Sequence, residues 1–244
     1  MNSRSYGSFA SPEEFIRFVA ELNPKSAAFD CDGTLWFGDA GMKFFYWEIE
    51  QGLLSTEVVQ KAIARYDEYL AGRVSEDEIC SEMVQVHRGL PLDRVVGDAE
   101  RFAKSNVIPH YFPEMKRVVE KLQHQHCDIW AVSSTNSWVI EAAVREIGIP
   151  ANRVLAVRAE IENGVISDRV GDITSGAGKA RALKCALNSP PEIAFGNAIF
   201  DVEMLELARE PLVVNPTADL LKIAADRGWR VYQPMIAEIT SSTA

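Results

Sequence analysis

The sequence is poor in cysteine and in net positive charge. Its four cysteines are scattered and form no Cys-x-x-Cys pair: Cys31, Cys80, Cys127 and Cys185. This spacing argues against a disulfide framework and against a cysteine-based zinc site, and it indicates reduced thiols in a cytoplasmic protein. The net charge of −10 argues against partners such as nucleic acid or an anionic membrane surface.

Long apolar runs, internal repeats and low-complexity segments are also missing. No run approaches the roughly 20 apolar residues that cross a bilayer, and the polar segment 1–10 lacks the apolar stretch of a signal peptide. We therefore expect no membrane partner. The 244 residues, of which 47% are hydrophobic and 25% charged, are typical of a globular protein with one large domain or a core domain plus a smaller insert.

Strand and helix patterns alternate along most of the chain, but the stretch 39–108 shows helical patterns only. Such alternation favours a parallel sheet with helices on both faces. We therefore predict an α/β fold. Its doubly wound, parallel-sheet (Rossmann-like) core comprises residues 1–38 and 109–244, and a small helical cap domain, residues 39–108, is inserted after the first strand. The predicted strands are 26–29, 128–132, 154–157, 193–195 and 212–214, with an Asn-Gly hairpin at 161–166 and an edge strand at 229–232.

Two carboxylates, Asp30 and Asp32, directly follow the first apolar strand and precede a Gly-Thr pair. Open α/β sheets bind their ligands at the carboxyl ends of the strands. Two such close acids repel each other unless a cation or a shared proton intervenes, and Mg²⁺ prefers oxygen ligands. One carboxylate can attack phosphorus while the other carries a proton to the leaving group. For the pair alone, a solvated turn is the competing interpretation.

Three later segments place polar residues at corresponding positions. Ser133 and Ser134 follow a buried strand and can hold phosphate oxygens. Lys179 follows a glycine-rich segment and can neutralise a carboxylate or a transferring phosphoryl group. Asn197 and Asp201 are four residues apart, so a helix begun there presents both oxygens on one face. Taken singly, these residues would also fit a helix cap, a solvated lysine and an ordinary first helical turn.

In this order the four segments resemble the haloacid dehalogenase superfamily, most closely its phosphoserine phosphatase-like branch with a helical cap. The resemblance implies that Asp30 is the nucleophile and forms an aspartyl-phosphate. It implies that Asp32 protonates the leaving alkoxide and then activates water. Phosphate contacts would come from Gly33, Ser133, Ser134 and Lys179, and the Mg²⁺ site from Asp30, Asp32, Asn197 and Asp201. An acid two residues after the nucleophile also favours oxygen leaving groups over halide.

Two departures from the family pattern bear on the substrate. Asn197 stands where the family usually has an acid, and Met83 occupies the position of a cap arginine that holds the carboxylate of phosphoserine. Arg73 or Arg88 could substitute for that arginine, and Asp39 can meet a substrate ammonium. We therefore expect a phosphomonoester with a cationic group and no carboxylate.

The sequence thus predicts a Mg²⁺-dependent phosphatase that acts on a small phosphomonoester through an aspartyl-phosphate. Two alternatives stay open: a phosphotransferase with the same intermediate, and a catalytically weak binding or regulatory protein on this fold. The oligomeric state is left open as well.

Overall fold

The computed structural model describes residues 7–235. Residues 1–6 and 236–244, which the sequence assigns to the core domain, lie outside the described residues. Within that range the chain forms ten α-helices and eight strands. The helices are α1 (Pro12–Leu22), α2 (Ala40–Glu50), α3 (Thr56–Leu70), α4 (Glu76–Gln85), α5 (Leu92–Asn106), α6 (Pro113–His124), α7 (Ser137–Arg145), α8 (Ala177–Ala186), α9 (Val202–Leu207) and α10 (Ala218–Arg227). The strands are β1 (Ser26–Phe29), β2 (Asp128–Asn136), β3 (Val154–Val157), β4 (Ala159–Glu162), β5 (Val165–Val170), β6 (Ile193–Gly196), β7 (Glu210–Val214) and β8 (Arg230–Tyr232).

Six of the strands form one parallel sheet in the order β3-β2-β1-β6-β7-β8. Strand β1 lies inside the sheet, between β2 and β6. Its residues are almost completely buried because alternate side chains enter two different cores. Phe29 packs in the core that includes α1, α5, α6 and α7, whereas Ala28 packs in the core that includes α8, α9 and α10. The predicted doubly wound α/β fold is confirmed.

Local sequence explains where several helices begin. Ser11 caps α1, its hydroxyl accepting the Glu14 N–H, and Ser75 and Glu78 form a capping box at the start of α4. Helices α2 to α5 lie in sequence between β1 and α6, in the stretch predicted to be helical. None of the helices in residues 7–235 combines the length and apolar character needed to cross a membrane.

The antiparallel hairpin β4–β5 is bonded to the turn between α4 and α5. The Gly89 N–H donates to the Ile166 carbonyl at 2.8 Å, the Ile166 N–H to the Leu90 carbonyl at 3.0 Å, and the Leu92 N–H to the Gly164 carbonyl at 2.9 Å. The boundaries predicted from sequence place this hairpin in the core. We propose instead that it belongs with the helical cap of residues 39–108.

Candidate active site

The carboxyl ends of four neighbouring strands open into one cleft of about 440 Å³. Asp30 follows β1, Asn197 follows β6 and Asn215 follows β7. Ser133 does not follow its strand, as the sequence predicts, but lies inside β2 where the register with β3 shifts. Lys179, from the first turn of α8, lies in the same cleft. The structure therefore brings together the catalytic and metal-binding residues predicted from sequence: Asp30, Asp32, Lys179, Asn197 and Asp201.

Asp30 is held by donors on both carboxylate oxygens. The Thr34 hydroxyl donates to Oδ2 at 2.7 Å, and the Lys179 ammonium donates to Oδ1 at 2.6 Å. Burial, and then the charge of Asp201, raise the pKa of Asp30 to about 6, although Lys179 and Thr34 act in the opposite direction. The side chain is thus fixed in orientation and ionised at neutral pH.

Lys179 is 2% exposed and bridges two carboxylates. Its Nζ lies 2.6 Å from Asp30 Oδ1 and 2.6 Å from Asp201 Oδ1. Burial alone would lower the pKa of Lys179, but the charges of Asp201 and Asp30 raise it above its ordinary value. Gly178 permits this placement because a Cβ there would lie 1.9 Å from the Ile173 carbonyl oxygen. The chain therefore carries a permanent cation in contact with Asp30.

Asp32 accepts three hydrogen bonds. Its Oδ1 accepts from the Trp36 indole N–H and the Ala40 N–H, both at 2.7 Å, and its Oδ2 accepts from the Thr135 hydroxyl at 2.8 Å. Burial, and then the charge of Asp39, raise the pKa of Asp32 to about 7. A carboxyl group with this pKa is suited to exchange protons near neutral pH.

Asp32→Asn is expected to stabilise the metal-free protein by about 2–4 kcal/mol at pH 8. The folded-state pKa of about 7 lies above the ordinary 3.8, so the stability that this group contributes is present below pH 4 and is lost as the pH rises through 7. An amide keeps the acceptor for Trp36 and Ala40 but carries no charge. The measurement is urea unfolding in chelator at pH 4 and pH 8.

The stabilisation should disappear at pH 4, where the carboxyl group is already protonated. Asp67→Asn, which removes an exposed charge, is the control and should change the stability little at either pH. An Asp32→Asn protein no more stable than the native chain at pH 8 would contradict the raised pKa.

Asp201 organises the turn that carries Asn197. Its Oδ2 accepts the N–H groups of Asn197 and Ala198, both at 2.9 Å, while Oδ1 accepts from Lys179. Asn197 and Asp201 therefore meet across a short 3₁₀ turn, Ile199–Asp201, and not along the helical face that the sequence predicts. Gly33 lies against Asn197: a Cβ on Gly33, whose φ is +77°, would be 2.0 Å from Asn197 Nδ2.

The same cleft is lined by three residues predicted to contact phosphate: Gly33, Ser133 and Ser134. Ser133 is buried, its hydroxyl accepts the Thr135 N–H at 3.1 Å, and Ser134 lies at the surface of the cleft. Gly33 lines the cleft, but its N–H donates to the Trp36 carbonyl at 2.9 Å. We therefore propose that Gly33 serves close packing and that phosphate contacts come from Ser133 and Ser134.

A divalent cation fits the donors of this cleft. Within residues 7–235, no group of three or more His, Cys, Asp or Glu side chains is placed to hold a metal by itself. The donors offered are oxygens of mixed type, namely the Asp30 carboxylate, the Asp32 carbonyl and the Asn197 amide, and hard cations prefer such oxygens. Asp30 and Asp201 share the ammonium of Lys179, Asp32 accepts from neutral donors, and the charge of Asp201 raises the pKa of Asp30. This excess negative charge favours a bound cation.

Asp39 lies at the entrance between this cleft and a second cavity. It is exposed and caps α2, its Oδ1 accepting the Met42 N–H at 2.9 Å. Met83 lines the second cavity, whereas Arg73 and Arg88 line neither cavity and pair with Glu68 and Asp168. The two arginines considered as substitutes are thus engaged elsewhere.

Four contributors to the site were not identified from the sequence: Thr34, Trp36, Thr135 and Asn215. Thr34 and Thr135 orient the two key carboxylates, and the Asn215 amide donates to the Gly33 carbonyl at 3.1 Å. Asn215 directly follows the apolar run of β7, so the reasoning that selected Asn197 applies to it equally. Hydroxyl donors such as Thr34 have no comparable signal because threonine is common in turns.

Comparison with known proteins gives a family match and several relatives. The family model described as haloacid dehalogenase-like hydrolase matches residues 27–206. A probable phosphatase of Mycobacterium tuberculosis is 28% identical over 216 aligned residues, covering 84% of this chain and 74% of the relative. Histidinol-phosphatase of Neisseria meningitidis is 24% identical over 216 aligned residues, covering 84% and 96%. A substrate-bound phosphoserine phosphatase structure has a TM-score of 0.59 at 14% identity, covering 87% of this chain and 94% of that one, and so is similar in fold.

Proposed function

This chain belongs to the haloacid dehalogenase-like hydrolase family and is a phosphoric monoester hydrolase, and on that premise we propose that it hydrolyses a small phosphomonoester through an aspartyl-phosphate on Asp30, with Mg²⁺. The proposal rests on the buried contact between Asp30 and Lys179, whose charged atoms are 2.6 Å apart. Asp32, two residues after Asp30, has a pKa of about 7. The relatives named phosphatase and histidinol-phosphatase support this class of substrate.

Asp30 supplies the attacking oxygen in the first step. A lone pair of its carboxylate forms a bond to phosphorus, while the bond between phosphorus and the ester oxygen breaks. Thr34 and Lys179 hold the carboxylate so that it is ionised and oriented before the substrate arrives. The Lys179 ammonium also lies where it can offset charge on the phosphoryl oxygens.

Asp32 transfers the protons in both steps. Protonated, it donates to the departing ester oxygen and releases a neutral alcohol. The resulting carboxylate then takes a proton from water as the water oxygen attacks phosphorus, which regenerates Asp30 and releases inorganic phosphate. Trp36, Ala40 and Thr135 keep the Asp32 side chain in one orientation for both transfers.

The residues that would hold Mg²⁺ are Asp30, the Asp32 carbonyl and Asn197. Asp201 accepts three hydrogen bonds, two of them from the backbone N–H groups of the Asn197 turn, whereas Asp30 accepts two, so we assign Asp201 to ordering that turn. When bound, the ion neutralises negative charge on the phosphoryl group. Asn197 contributes a neutral oxygen, which binds such an ion more weakly than a carboxylate does.

The test is release of phosphate and of p-nitrophenol from p-nitrophenyl phosphate by the native chain, with Mg²⁺ and with excess chelator. We expect turnover with Mg²⁺, its loss in chelator and its return when Mg²⁺ is restored. Repeating the assay in glycerol separates two activities: equal amounts of the two products indicate hydrolysis, whereas a deficit of phosphate indicates transfer to the alcohol. A folded chain that releases neither product from any ester would refute an enzymatic function.

A further inference from the structure

A second cavity, of about 130 Å³, adjoins the catalytic cleft. The two share Asp39, Ser134 and Thr135 in their walls. Thr135 donates to Asp32, the acid assigned to the leaving oxygen. A leaving group that departs past Asp32 therefore has this cavity next to it. Its inner walls come from α2, α3 and α4.

Two acids on the cavity wall have no cationic partner among residues 7–235. Glu76 accepts from the Tyr69 hydroxyl and lies 3.7 Å from the Cys80 thiol, and neither Glu76 nor Asp39 takes part in an ion pair of the described chain. Burial raises the pKa of Tyr66, and the charges of Asp39 and Glu76 add to that rise. The cavity therefore has a negative potential before any ligand enters.

A third acid, Glu48, lies at the base of the cavity but is already paired. Both of its carboxylate oxygens lie 3.0 Å from His87 Nε2, and His87 Nδ1 lies 3.1 Å from the Val84 carbonyl oxygen. Glu48 and His87 are each 1% exposed. Because this pair satisfies itself, Glu76 and Asp39 are the acids left for a ligand.

Aromatic rings form much of the remaining wall: Phe44, Phe45, Tyr66 and Tyr69. The faces of such rings attract organic cations. No lysine or arginine of the described chain lines the cavity, and Met83 occupies the wall where a carboxylate-binding arginine was considered. Arg65, the arginine of α3, does not line the cavity and is paired with Glu82 at 2.7 Å. A substrate carboxylate would thus meet two unpaired acids and no lysine or arginine.

We propose that this cavity binds the cationic organic part of an amino-alcohol phosphomonoester, with Glu76 and Asp39 meeting the ammonium, and that it discriminates against substrates bearing a carboxylate. The inference rests on the proposed phosphatase function. A cavity of about 150 Å³ accommodates benzene in another protein, so this one suits an aminoalkyl chain or a single small ring. It is too small for a nucleoside.

Two matched substrate pairs test the proposal with the native chain and Mg²⁺. In the first pair, 3-aminopropyl phosphate carries an ammonium where butyl phosphate carries a methyl group. In the second pair, phosphoserine carries a carboxylate that phosphoethanolamine lacks. We expect kcat/KM to be about 10- to 100-fold higher for the aminopropyl ester than for the butyl ester, the range for a hydrogen-bonded charge. Phosphoethanolamine should exceed phosphoserine, and L-histidinol phosphate, which carries an amine and a ring, should also be a good substrate.

The variant Glu76→Gln identifies the residue responsible. It should reduce the aminopropyl-to-butyl ratio about tenfold through KM, because the ammonium loses one charged partner. Asp77→Asn removes an exposed charge one residue further along α4 and should preserve the ratio. An unchanged ratio in Glu76→Gln, equal turnover of the aminopropyl and butyl esters by the native chain, or a preference for phosphoserine would overturn the proposal.

Equilibrium binding of the aminopropyl and butyl esters to the Asp30→Asn chain, measured by calorimetry, tests the cavity without turnover. Tighter binding of the aminopropyl ester is expected, and equal binding would contradict the proposal. Turnover of p-nitrophenyl phosphate without any preference between the esters would overturn the cavity assignment alone. Failure on every ester, with selective binding retained, would refute the phosphatase function and leave the cavity assignment standing.

Discussion

Asp30→Asn is expected to lower kcat for p-nitrophenyl phosphate by at least about 10⁴-fold, because an amide cannot form the covalent intermediate. The change is nearly isosteric and removes a buried charge whose folded-state pKa is raised to about 6, so the protein should fold at least as stably as the native chain. The loss would therefore be chemical in origin. The measurement is phosphate release at saturating substrate and Mg²⁺, with thermal unfolding of the same samples.

The control is Asp67→Asn, which removes one exposed carboxylate far in sequence from the cleft. It should retain native turnover. Native protein quenched in acid during turnover should also carry one acid-stable, hydroxylamine-sensitive phosphoryl group, which Asp30→Asn should lack. A folded Asp30→Asn protein that keeps more than about a hundredth of native kcat would show that Asp30 is not the nucleophile.

Lys179→Met is expected to lower both turnover and stability. Removing the ammonium leaves Asp30 and Asp201 buried without their shared cation, and breaking a buried ion pair in this way typically costs about 3–5 kcal/mol. Loss of one such electrostatic donor also lowers kcat by about 10²- to 10³-fold. Stability is measured by urea unfolding in chelator at pH 8, and kcat with Mg²⁺ at the same pH.

The stability defect should become smaller at pH 4, because Asp30, whose pKa is raised to about 6, is then protonated and no longer needs a cation. The control is Lys184→Met, which changes an exposed lysine on the same helix, α8. It should change the free energy of unfolding by no more than about 0.5 kcal/mol and kcat by no more than a few-fold. Equal stability of Lys179→Met and Lys184→Met at pH 8 would mean that the bridge between Asp30 and Asp201 is not needed to hold the site.

Features set by local chemistry could be predicted from the sequence. Asp30 and Asn197 follow short apolar runs that are typical of buried strands, and the parallel sheet then places both at one edge. The hairpin turn at Asn163-Gly164 was predictable because its two central residues need positive φ, which Asn and Gly tolerate. Both residues have positive φ in the structure. These predictions need only the identity of neighbouring residues and the rule that parallel strands share a carboxyl edge.

Features set by tertiary contact could not be predicted in the same way. The stretch 39–108 was predicted to be helical, but the position of α2 within it was not, because Phe44, Phe45, Tyr46 and Trp47 are consecutive aromatics and no apolar stripe of helical period stands out. The attachment of β4–β5 to the cap depends on hydrogen bonds to residues more than 70 positions away. The expected helical face joining Asn197 and Asp201 gave way to a 3₁₀ turn because Asp201 Oδ2 binds the N–H groups that open it.

The hairpin β4–β5 changes how many times the backbone passes between the cap and the sheet. An insert joined only at residues 38–39 and 108–109 would be tethered by two chain crossings. The hairpin adds a second pair, one from β3 and one returning toward α8. The returning strand ends at Val170, nine residues before Lys179. A displacement of the cap would therefore be transmitted along the backbone to the segment that positions the Lys179 ammonium, in addition to the core that α5 shares with the sheet.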